Sequence, residues 1–125
     1  MTKFALVAAF VAALALAPVA FAGPSIGVCN GASPSPACLG GPFNSTDGVY
    51  FVVGTGGGNR DFASVAVDCG SSYSTVLTVE VPAKGVGYSQ TIHPPSGAQC
   101  TATLEKLMQI GKAHVLAGPI AFVVN

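Results

Sequence analysis

The chain has 125 residues; half are hydrophobic, only 8% are charged, and five Lys and Arg balance five Asp and Glu to a formal net charge of zero. That length makes one domain, and a chain so poor in charge carries no basic patch for nucleic acid or an anionic membrane. Its apolar content is too high for a disordered chain and sufficient to build a core.

Residues 1–22 read as a secretory signal peptide. Lys3 is the only charge ahead of an apolar run from Phe4 to Ala17, Pro18 ends that run, and Ala20 and Ala22 supply the small side chains a signal peptidase accepts. Cleavage is expected after Ala22, with Gly23 as the new N-terminus. The run is Ala-rich, is broken by proline and has no basic stop-transfer cluster behind it, which argues against a membrane anchor. The tail Ile120–Asn125 is too short for a span or a lipid-anchor signal and reads as a last strand. The mature chain is therefore expected to have no membrane span and to be secreted to the extracellular space, or to the periplasm of a Gram-negative host. Its charges are Asp47, Asp61, Asp68, Glu80 and Glu105 against Arg60, Lys84, Lys106 and Lys112, with no run of one sign.

From residue 23 to residue 48 the sequence is dominated by Gly, Pro, Ser and Asn and reads as a loop-like N-terminal arm. Cys29 and Cys38 bracket a turn-rich loop within it, and Cys69 and Cys100 follow further on. Four cysteines in a short exported chain read as two disulfides, with three connectivities open. Pairing Cys29 with Cys38 leaves Cys69 with Cys100, a loop of roughly thirty residues whose closure contributes ~3–4 kcal/mol on the loop-entropy model. The absence of a C-x-x-C pair, and histidines far from the cysteines in sequence, argue against zinc. Asn44-Ser45-Thr46 is a glycosylation sequon beside the turn Asp47-Gly48, and a eukaryotic host would be expected to place a glycan on Asn44.

Residues 49–125 change to short β-type runs between turns. Val49–Val53 is β-branched and aromatic throughout, and Gly54–Asn59 follows as a glycine-rich loop. Val65, Val67 and Cys69 alternate with Ser64, Ala66 and Asp68; Leu77, Val79 and Val81 alternate with Thr78 and Glu80. Pro82-Ala83-Lys84-Gly85 turns the chain, Tyr88–His93 reads as a further strand, and Ala98, Cys100, Ala102 and Leu104 share one face. Leu104, Leu107 and Met108 ahead of Gly111 also fit a short capped helix, leaving residues 104–111 open between strand and helix. Residues 113–124 give one or two strands, with a bulge or kink expected at Gly118-Pro119.

About seven short strands between turns predict an all-β, antiparallel β-sandwich, immunoglobulin-like and stabilised by disulfides. Cys69 and Cys100 both fall on the buried side of their strands, which predicts a bridge between the two sheets. The chain departs from antibody domains in lacking tryptophan and a tyrosine two residues before Cys100. The run Ser64–Cys69 and the four cysteines resemble small secreted bacterial protease inhibitors, but their long helical middle is missing. The loop Cys29–Cys38 and the apolar strand ending in Asn125 are similar to features of enediyne-carrier apoproteins, but here that loop begins close to the cleavage site. The chain is assigned to neither family.

Chemistry is sparse. His93 and His114 lack a nucleophile and an orienting carboxylate nearby in sequence, and no serine sits in a G-x-S-x-G elbow. Cys100, Met108 and His114 run in the wrong order for a blue-copper site, and Cys100 is expected to be oxidised. Gly54–Gly58 lacks the lysine and following helix of a phosphate loop. A carbohydrate surface would have only Tyr50, Tyr73 and Tyr88 to stack sugars on, and scattered acids give no carboxylate pair. No catalytic residue, cofactor or metal is expected. The sequence therefore predicts a small secreted, non-enzymatic binding or structural module, whose partner is another protein or a cell-wall or matrix component. Its working loops would be Gly54–Asp61 or Leu107–Lys112. The alternative is a secreted inhibitor or effector that inserts the disulfide-stiffened loop Cys29–Cys38 into another protein.

Overall fold

The computed structural model describes residues 23–107 and 113–125. The expected signal peptide, residues 1–22, and its cleavage after Ala22 lie outside the described residues. Among the described residues seven strands follow one another: β1 (Ser25–Asn30), β2 (Val49–Gly54), β3 (Asp61–Asp68), β4 (Ser74–Val81), β5 (Gly87–Tyr88), β6 (Gln99–Leu107) and β7 (Ala113–Val123). They form two antiparallel sheets, ordered β1-β2-β5 and β4-β3-β6-β7.

The alternating strands bury the side chains their periodicity selects. Ala63, Val65 and Val67 of β3, Leu77, Val79 and Val81 of β4, and Cys100, Ala102 and Leu104 of β6 are all buried. They meet Val49, Phe51 and Val53 of the other sheet, so the inner faces of both sheets share one core. Phe122 of β7 lies edge-on to both Phe51 and Phe43, which fills the centre of that layer.

Strand β2 is buried at every position, which explains why its sequence is a continuous apolar run rather than an alternation. Its outward side chains Tyr50 and Val52 pack with the Cys29–Cys38 disulfide, Val86 and Tyr88 in a second, smaller cluster. The loop between the two cysteines therefore folds back over the outer face of its own sheet.

Three expectations change, and one open choice is resolved in part. The segment 23–48 is not loop-like throughout, because Ser25–Asn30 pairs with β2 along its whole length. Ile26 and Val28 pack against the main core while Cys29 joins the outer cluster, an alternation hidden by the surrounding Gly, Pro and Ser. The cysteines do pair as Cys29–Cys38 and Cys69–Cys100. The second bridge, however, does not join the two sheets. Cys69 follows β3, Cys100 lies in β6, and the β3–β6 register places them directly opposite in the same sheet, with Cα atoms 4.1 Å apart. Two inward-facing residues are as readily neighbours across one sheet as partners across a core, and alternation alone does not distinguish the two.

The expected strand Tyr88–His93 is reduced to Gly87–Tyr88 and an isolated bridge between Ile92 and Val49. Val52 pairs with Tyr88 and Val49 with Ile92, so this segment carries one more residue than the length of β2 it faces. Ser89 takes up the irregularity. Its backbone N–H donates to Phe51 O at 2.9 Å, and its hydroxyl accepts from the Phe51 N–H at 2.8 Å, a place a carbonyl would hold in a regular ladder. The open choice at residues 104–111 falls to strand as far as Leu107, where β6 ends; residues 108–112 lie outside the described residues. Beyond them β7 is a single strand with two register shifts against β6, one at Gly118-Pro119 and one at Leu116. Gly118 takes a φ of 89°, a conformation that favours glycine and marks the expected bulge.

Candidate functional site

Antiparallel pairing sends the β2–β3 loop and the β4–β5 turn to the same end of the molecule. Thr55–Arg60 leads from β2 to β3, and Pro82–Val86 leads from β4 to β5. The Lys84 N–H donates to Gly57 O at 3.0 Å, which ties the turn to the loop. Gly56 has a φ of 76° and lies against the backbone of Gly23, so the loop packs beside the beginning of the described chain. Gly58 has open space around it.

Charge gathers at this end. Arg60 Nη1 lies 3.2 Å from Glu80 Oε2, and Lys106 Nζ donates to Asp61 Oδ2 at 2.6 Å. The hydrogen bond from Lys106, reinforced by the Phe62 N–H, holds the Asp61 carboxyl below its ordinary pKa. Lys84 completes the group and has no ion partner among the described residues. Its φ of 56° makes it the one described residue other than glycine in the left-handed region. Of the charged residues described, Asp47 and Asp68 stand outside this half of the molecule, at the ends of the chain segments that lead into β2 and out of β3.

The opposite end holds the remaining candidates. Asn44 closes a local turn: its Oδ1 accepts from the Asp47 N–H at 2.7 Å and its Nδ2 donates to Asp47 Oδ2 at 2.9 Å. The sequon residue is thus half-buried and serves the loop that enters β2. His93 is also at this end, with its Nδ1–H donating to Ser45 O at 3.0 Å. His114 lies opposite Lys106 at the other end, so the length of the strands separates the two histidines.

The loop Cys29–Cys38 is anchored rather than free. The Asn30 N–H donates to Leu39 O at 2.6 Å, and the buried Ser33 hydroxyl donates to Asn30 O at 2.7 Å. Pro34, Ser35, Pro36 and Ala37 remain exposed above it. Beneath the loop lies a shallow hollow of about 110 Å³ edged by Ser33, Ser35, Tyr50, Ser89 and Thr91. The Ser33 and Ser89 hydroxyls there are already engaged by the backbone, so the hollow offers few unused polar groups.

Of the loops singled out in the sequence, Gly54–Asp61 belongs to the charged end, whereas Leu107–Lys112 falls largely outside the described residues. Sequence reasoning missed Lys84. The turn Pro82-Ala83-Lys84-Gly85 was legible, but glycine is the residue that marks a left-handed position, and nothing in the sequence marked Lys84 to take it. Among the described residues, no group of three or more His, Cys, Asp or Glu is placed to hold a metal ion. Among them, too, no helix is long and apolar enough to cross a membrane. No family model, curated protein or solved structure matches the chain.

Proposed function

We propose that this chain is a small secreted, non-enzymatic binding or structural module, an immunoglobulin-like sandwich that meets a protein, cell-wall or matrix partner through the end formed by Thr55–Arg60 and Pro82–Val86. The strand order supports the fold reading. The first, second and fifth strands share one sheet, the third, fourth, sixth and seventh share the other, and the chain crosses between them repeatedly. It differs from the constant-domain pattern in that β4 pairs with β3 rather than joining the sheet of β1 and β2.

The observation that carries the functional reading is the gathering of charge at a glycine-rich loop end. Arg60, Asp61, Glu80, Lys84 and Lys106 stand around a loop whose tip is open. A turn selected for stability alone would place glycine or asparagine at the position of Lys84. The non-enzymatic reading is supported by the separation of His93 from His114 and by the engagement of His93 with Ser45.

The experiment is retention of the mature chain on the insoluble extracellular fraction of producing cells. Under this reading Arg60→Ser combined with Lys84→Ser releases the protein into the wash. Replacing Ser33–Pro36 by a Gly/Ser loop leaves retention unchanged. The reverse pattern would transfer the function to the disulfide-stiffened loop, the inhibitor or effector reading, which the exposure of Pro34–Ala37 on an anchored backbone favours.

A further inference from the structure

We infer that β4 is a self-association edge, and that two copies of this chain pair antiparallel through Ser74, Val76 and Thr78 across a two-fold axis. Among the described residues, strand β4 ends its sheet and pairs only with β3. The Cys69 N–H donates to Tyr73 O, which fixes the phase of that ladder: Tyr73, Thr75, Leu77 and Val79 turn their backbone groups toward β3. Ser74, Val76 and Thr78 therefore point their N–H and C=O groups outward, and none of these groups finds a hydrogen-bond partner among the described residues. Past Thr78 the edge is closed, because Gly87 of β5 packs against Glu80 O.

The other edges are guarded in ways β4 is not. Strand β7 has two bulges and Pro119, which has no N–H to offer, and β1 packs beside it. Strand β5 has two residues. From Ser74 to Val79, β4 contains no proline, no bulge, no glycine and no charge, and its Val76 is 65% exposed. A flat, uncharged, β-branched edge with unpaired backbone groups is a template for another strand.

A second copy is the occupant that this strand's own sequence fits. In the register that uses all three outward residues, Val76 faces Val76 of the other copy, and Ser74 faces its Thr78. Every outward N–H and C=O of these three residues then gains a partner. No like charges come into opposition, since Glu80 falls opposite Ser72 of the other copy. β-Branched pairs directly opposite across an antiparallel ladder are favourable, and a two-fold interface requires this kind of self-complementarity. The outer face of the four-stranded sheet would continue unbroken across the axis.

The test is sedimentation of the mature, oxidised chain over a concentration series up to the millimolar range, with amide hydrogen exchange on the same samples. The expected result is a monomer–dimer equilibrium in which the Val76 and Thr78 amides become protected as the dimer fills, while those of Thr75 and Leu77 are protected throughout. Val76→Lys places two ammonium groups face to face and should abolish the dimer without changing the thermal midpoint of the monomer. Mixing Val76→Lys with Val76→Glu should restore it as a heterodimer, because the register sets the two side chains opposite each other. A chain that stays monomeric across the series would overturn the inference. So would a dimer that survives Val76→Lys, or one that forms while the Val76 and Thr78 amides still exchange freely.

Discussion

Ser89→Ala isolates one hydrogen bond whose removal leaves a buried donor. The Phe51 N–H lies in the middle of β2, under a residue with no measurable exposure, and its partner is the Ser89 hydroxyl rather than a carbonyl. Removing that oxygen changes no apolar packing of consequence, because the serine side chain is replaced by one of nearly the same volume. The N–H of Phe51 is left without an acceptor, and the Gln90 carbonyl loses the hydroxyl proton it receives at 2.9 Å. An unsatisfied buried amide costs about 1–3 kcal/mol. For a domain of this size each kcal/mol moves the thermal midpoint by about 4–8 °C. A drop of at least about 4 °C is therefore expected in calorimetry of the oxidised protein, with an unchanged denaturant m-value. Gln90→Ala serves as the control, since only the backbone of Gln90 takes part, and it should shift the midpoint by no more than a degree or two. A Ser89→Ala midpoint within that same margin would refute the reasoning, showing that water reaches the Phe51 amide and that the bulge at residue 89 does not seal β2.

Other consequences follow from the same geometry. Replacing Cys69 and Cys100 together by serine should lower stability by about 4 kcal/mol, and replacing Cys29 and Cys38 by about 3 kcal/mol, since the closed loops differ in length; urea titration of each pair checks the order. Gly87→Ala should destabilise by about 1–3 kcal/mol, because a methyl group there meets Glu80 O and Val79 Cγ1, whereas Gly58→Ala, with open space around it, should leave the melting curve within about 0.5 kcal/mol of wild type. The lowered pKa of Asp61 makes its ionised form the one favoured by folding, so its contribution is complete above the ordinary carboxylate range near 4 and fades as pH falls toward the lowered value. The Asp61–Lys106 pair is partly exposed, which limits that contribution to less than about 1 kcal/mol. Asp61→Asn should flatten the corresponding acid limb of a stability–pH profile, and an unaltered limb would dissociate the ion pair from stability.

What the sequence made legible was decided by how many partners a residue needs. Val65, Val67, Leu77, Val79, Ala102 and Leu104 alternate within their own strands, and each strand's buried face could be read without knowing its neighbours. The cysteine pairing was legible because Cys29 and Cys38 bracket a short, turn-rich loop, which leaves Cys69 for Cys100. Whether Cys69 and Cys100 face each other across a core or along a sheet depends instead on β3 and β6 being adjacent, a long-range choice that alternation leaves open. Strand β1 was obscured because Gly, Pro and Ser surround its short alternation of Ile26 and Val28 against Gly27 and Cys29, and a methyl group at Gly27 would lie 3.2 Å from Val52 Cγ1. Ser89 was illegible outright. A serine between Tyr88 and Gln90 carries no mark that its hydroxyl will stand in for a backbone carbonyl opposite Phe51, thirty-eight residues away in sequence.

The charged end shows the same division and suggests why it forms a surface rather than a packed seam. Arg60 and Asp61 are consecutive, and their partners Glu80 and Lys106 come from the strands on either side of β3, so one short stretch of chain is clamped from both flanks. The β3–β4 ladder begins here, at Asp61 opposite Val81, and the partly exposed ion pairs add little to it. In front of them Gly57 is held by the Lys84 N–H, whereas Gly58 has open space around it. The bond from the Lys84 N–H to Gly57 O thus orders the backbone of the β4–β5 turn against the loop, while the exposed Lys84 side chain, with no ion partner among the described residues, keeps its own rotamer freedom.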